Sequence, residues 1–228
     1  VGGDFTVNAV NLSILGGNSD PNSQVLGERL NVGGTATFNV SNNMLLQANA
    51  QSLISGSLYS NSAAIIQANA INIGSSGAPV NALYLNNDVT VNGIPKGSGT
   101  SSITNTSPNQ VQNADAQIAA TGNMKIYLGA GGLNLTGGSA TVSATATSTA
   151  QATAIANIQA GAMTLDIAKD GNLSMTGGTS NAFGGLSTSS TKVGADTSAS
   201  IVSIASFSPI ITGAVMMAGG MATAAPSA

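Results

Sequence analysis

Two phrases in this chain nearly coincide twenty residues apart: Leu45 to Ala50 reads LLQANA, and Ile65 to Ala70 reads IIQANA. A second echo has twice that spacing. Gly132 to Gly138 reads GLNLTGG and Gly171 to Gly178 reads GNLSMTGG, which sets Leu133 and Leu173 forty residues apart. A fixed period in this range is the mark of a stacked repeat architecture. The expected fold is all-β: a β-solenoid, or parallel β-helix, with coils of about 20 residues. Each coil would bury its inner face against the coils above and below. Such folds build surfaces and fibres more readily than enclosed active sites.

Composition agrees with that frame. Charged residues are 6% of the 228, against roughly 25% in an ordinary soluble domain. Aromatics are 3%, and tryptophan, histidine and cysteine are absent. A core must therefore come from many small and β-branched side chains. At 42% hydrophobic the chain is too apolar for a disordered polyampholyte. The net charge of −3, with Arg29, Lys96, Lys125, Lys169 and Lys192 scattered, argues against nucleic acid and against docking on an anionic membrane. The start VGGDFTVNAV has neither a charged n-region nor an apolar h-region, so no signal peptide is read: either the protein is already processed or the sequence starts after the signal.

Along the sequence, TATFNV at Thr35 to Val40 alternates with period two, which predicts a strand. Residues 1–92 form a first solenoid section. Residues 93–114 lose periodicity, hold Pro95 and Pro108, and are expected to be a polar loop or insertion. Residues 115–200 form a second section. Within it, Val142 to Ala156 places alanine on one face and Thr145, Thr147, Thr149 and Thr153 on the other. That pattern predicts one strand, with a helix as the other reading because alanine favours helices. Residues 201–228 are the most apolar stretch, expected to be a tail that docks on a neighbouring subunit. A membrane helix would fit by length, but Ser203, Ser206, Ser208 and Pro209 count against it.

Chemistry is sparse. Without histidine or cysteine there is no Ser/His/Asp triad, no thiolate and little to hold a metal. Eight acids remain: Asp4, Asp20, Glu28, Asp88, Asp115, Asp166, Asp170 and Asp196. A glycosidase needs two carboxylates placed together, and the sequence does not set any two in register. The chain is expected not to be an enzyme and to use no cofactor or metal, and no catalytic, cofactor-binding or metal residue is assigned. GGNSD at Gly16 to Asp20 occurs once, so a calcium-binding nonapeptide repeat is not read here. Glycosylation sequons begin at Asn11, Asn39, Asn105, Asn134 and Asn172, the middle one in the expected loop and the last two expected in a turn ladder. The spaced threonines invite an ice-binding face, although Thr35-Ala36-Thr37 is the one other occurrence of that spacing noted.

GLNLTGG (Gly132 to Gly138), GNLSMTGG (Gly171 to Gly178) and LLQANAQSL (Leu45 to Leu53) together resemble the repeat regions of bacterial secreted β-helical adhesins of the filamentous haemagglutinin type. The resemblance implies an extracellular β-solenoid with a surface or matrix role, and carries over no catalytic residue. The expected function is an extracellular structural subunit that assembles head to tail with itself into filaments, in a biofilm matrix or cell-surface fibre. Alternatives are a passenger segment of a larger adhesin that binds a host surface or glycans, and an ice-binding solenoid.

Overall fold

The computed structural model describes residues 1–16, 28–48, 59–86, 100–105, 110–137, 139–144, 150–177, 179–185, 193–219 and 221–227. No helix occurs among them. The strands, in chain order, begin with β1 (Phe5–Ala9), β2 (Leu12–Gly16), β3 (Glu28–Val40), β4 (Asn43–Ala48), β5 (Tyr59–Ile73) and β6 (Val80–Asn86). There follow β7 (Thr100–Asn105), β8 (Gln110–Ala120), β9 (Asn123–Thr136), β10 (Ser139–Ala144) and β11 (Ala150–Ile167). The last are β12 (Leu173–Thr176), β13 (Thr179–Gly185), β14 (Val193–Ile211), β15 (Val215–Ala218) and β16 (Met221–Ser227).

Pairing between these strands is parallel throughout, and it sorts them into four ladders. The first runs through the opening of β3, the opening of β5, then β8, the opening of β11 and the opening of β14. The second runs through β1, the ends of β3 and β5, the opening of β9, and the ends of β11 and β14. The third is β2, β4, β6, the end of β9, β12 and β15. The fourth is β7, β10, β13 and β16. Long strands therefore serve two ladders each, and β5, β8, β11 and β9 close into a ring of pairings.

Side-chain alternation fixes which face of each ladder is inside. In the first ladder Leu30, Ile66, Ile118, Ile158 and Ile201 lie in one register row. Phe38, Ile73, Ile126 and Leu165 do the same in the second, and Met44, Leu83, Leu133 and Leu173 in the third. Except for the partly buried Leu30 and Ile201, all of these are core residues. Full burial of one such side chain is worth about 1.5–3 kcal/mol, so the rows supply the cohesion that the scarce aromatics cannot. β4 is buried on both faces, its Met44-Leu45-Leu46 run together with the polar Asn43 and Gln47.

Between the first and second ladders the chain bends. Register shifts occur between Val32 and Thr35 and between Ala160 and Ala162, beside Gly33, Gly34 and Gly161. Between the second and third ladders asparagines hold the bend. Asn42 donates from Nδ2 to Oδ1 of Asn11 at 3.0 Å, the Asn43 amide donates to the same oxygen at 3.2 Å, and Asn81 donates to Asn43 Oδ1 at 3.2 Å. Replacing Asn11 by alanine strands the Asn43 amide, a loss of about 1–3 kcal/mol for a buried donor. A urea titration of Asn11→Ala is expected to show a lower midpoint with an unchanged slope.

The structure bears on four of the sequence expectations. Paired positions are not twenty residues apart: Leu133 lies beside Leu173, forty residues on, and Phe5 beside Ala36, thirty-one on. Leu45 pairs with Ser13 and Tyr84, whereas Ile65 pairs with Arg29 and Gln117, so the twenty-residue echo joins two different ladders. Each ladder makes the same demands on its strands, and similar phrases result. Within the expected loop at 93–114, residues 100–105 and 110–114 are strand, while 93–99 and 106–109 lie outside the described residues. The described parts of Val142 to Ala156 are strand, in β10 and in β11, which belong to different ladders, and residues 145–149 lie outside the described residues. Position 201, the expected start of a tail, lies inside β14.

Candidate functional site

Strand register pairs no two of the described acids. Asp4 accepts the Thr35 amide through Oδ1 at 2.8 Å and so braces the glycine bend. Asp166 stands on β11 opposite Tyr127, and Asp170 occupies the following turn with φ of 72°. Glu28, Asp115 and Asp196 are on β3, β8 and β14, while Asp20 and Asp88 lie outside the described residues. Among the described residues no three His, Cys, Asp or Glu side chains could hold a metal. Nor is any helix among them long and apolar enough to cross a membrane.

Threonines do not form an array where they can be followed. Thr145, Thr147 and Thr149 are outside the described residues. The row through Thr37 reads Thr6, Thr37, Asn72, Lys125, Thr164, Ser208, a mixture of side chains. Of the sequons, Asn11 and Asn39 are engaged with Asn42 and Asn8, and Asn172 accepts the Ala214 amide at 2.9 Å. Asn134 pairs in register with Ser174, so Asn134 and Asn172 do not stack on one another. Asn105 is on β7, not in a loop. Burial raises the phenol pKa of Tyr84 above the ordinary 10.0.

Two surface features stand apart. The first is the end of the stack formed by β14 and β15. Phe207 continues the inward row of Ala36, Ile71, Met124 and Met163, yet it is 45% exposed. Val215 and Met217 continue the rows of Leu173 and Met175 and are 51% and 71% exposed. The outward face of the same strands is apolar too, at Val202, Ile204, Ile210 and Met216. A strand apolar on both faces is built to be covered on both.

The second is an open groove of about 1110 Å³ on the outside of the first ladder, near its bend. One outward row there reads Asn31, Gln67, Ala119, Gln159, Val202. The alanine leaves a gap between two glutamines. Gln117 flanks it on the same strand, and Asn69 and Thr121 close it toward the bend, where Thr121 Oγ1 donates to Asn69 Oδ1 at 3.1 Å. No acidic or basic side chain lines the groove, and the Val1 ammonium at its rim donates to the Asn31 carbonyl at 2.9 Å. Sequence reading missed it because Gln67, Ala119 and Gln159 are far apart along the chain and only register brings them together. Comparison with family models, with curated proteins and with solved structures finds no match, so the functional reading rests on these surfaces themselves.

Proposed function

We propose that the chain winds as a β-solenoid and serves as an extracellular structural subunit that assembles with itself into filaments, of a biofilm matrix or a cell-surface fibre. Four parallel ladders visited in turn support the winding. The single observation that carries the assembly is the exposed apolar end at Phe207, Val215 and Met217, where inward rows stop without cover. Strand edges of this kind are templates for another strand unless charge or proline blocks them. β15 contains neither, whereas β14 carries Asp196 and Pro209 and β16 carries Pro226, so β15 is the unblocked stretch of this edge. Charge content of 6% and the absence of cysteine suit a matrix protein more than a catalyst.

Negative-stain electron microscopy of the purified chain is expected to show fibres whose yield rises with concentration. The double variant Val215→Lys/Met217→Lys should stay monomeric in sedimentation velocity, because two charges would be buried at the joint. A wild-type chain that remains monomeric at high concentration would sink the reading. The second reading, a passenger segment of a larger adhesin, is favoured by the groove on the first ladder.

A further inference from the structure

We propose that the groove beside Ala119 binds a neutral polysaccharide chain. Neighbouring strands of a sheet are about 4.8 Å apart, so Gln67 and Gln159, two strands apart, stand roughly 10 Å from each other across the Ala119 gap. The result is a slot with an apolar floor and amide walls. Each glutamine amide both donates and accepts, as does a sugar hydroxyl. Among the described residues, no internal partner takes the side-chain amides of Gln67, Gln117 and Gln159. The Ala119 methyl offers a surface for the C–H face of a sugar ring.

Charge selects among ligands. The Val1 ammonium at the rim donates to the Asn31 carbonyl at 2.9 Å; beyond it an anionic polymer finds no lysine or arginine in the lining, and a cationic one finds no carboxylate. An extended peptide would need a free sheet edge, the usual route of strand addition. The floor strand β8 is paired on both sides, with β5 and with β11. What remains is a polymer that recognises side chains alone, is uncharged, and presents hydroxyls at its rims.

Affinity electrophoresis tests this directly, with native gels containing galactomannan, dextran, hydroxyethylcellulose or alginate. The protein is expected to be retarded by at least one of the three neutral polymers and not by alginate. Ala119→Trp fills the slot from a half-buried outward position, and should weaken that retardation at least tenfold with an unchanged thermal melt. Gln67→Ala/Gln159→Ala, which removes the walls without adding bulk, should weaken it several-fold and serves if the tryptophan variant fails to fold. Retardation by alginate alone, by no polymer, or equally in wild type and a folded slot variant would overturn the proposal.

Discussion

Ile118→Asp is expected to yield no folded protein. Ile118 is fully buried on β8, between Ile66 and Ile158 in the same row. A carboxylate there would lack a cationic partner, since the row on both sides is aliphatic. Leaving a charge buried and unpaired costs several kcal/mol. The protonated acid escapes part of that cost and still loses the packing of isoleucine, itself about 2–5 kcal/mol for truncation of a core side chain. Total stability of a domain is only about 5–15 kcal/mol. Circular dichroism of the soluble fraction should therefore lack the strand signal. Gln117→Asp, one residue away on the outward face, should change stability by no more than about 0.5 kcal/mol. Equal tolerance at both positions would mean that β8 does not present alternate faces.

That contrast marks what was legible in the sequence. Alternation is a local property, and TATFNV was read correctly: Ala36, Phe38 and Val40 are buried, while Thr35, Thr37 and Asn39 are not. The forty-residue echo was legible as well, because Leu133 and Leu173 occupy the same place in one ladder. Bends were not. The chain turns at Gly33, Gly122 and Gly161 in the middle of runs that alternate on either side, and the same residues also mark ordinary turns. Ser101, Ser102 and Thr104 carry no apolar pattern, yet β7 is a strand because β10 supplies its partner. Strand preference reflects neighbours as much as the residue itself. The groove is a property of register between strands about forty to fifty residues apart, which no local pattern encodes.

Gly132→Ala is expected to destabilise the protein by about 4 kcal/mol, from strain, a lost hydrogen bond and displaced packing together. Gly132 has φ of 68°, a conformation that L-residues adopt at a cost. A methyl group there would also overlap the backbone carbonyl oxygen and amide nitrogen of Asn172 on the adjoining turn. Backbone cannot rotate aside as a long side chain can. The turn before β12 must retreat, and the hydrogen bond from the Leu133 amide to the Asn172 carbonyl, 2.9 Å long, is then lost. Leu133 and Leu173, both buried, would separate with it. Asn172 Oδ1 also accepts the Ala214 amide, so the displacement passes to β15 and the exposed end. Gly77→Ala is the matching control: nothing lies within 4 Å of a methyl group there. Urea unfolding should separate the two variants clearly, and hydrogen exchange at the Leu133 amide should accelerate only in Gly132→Ala. If the two variants unfold at the same midpoint, the third ladder is not held at this bend. Loss of fibres in Gly132→Ala but not in Gly77→Ala would link the bend to the assembling end.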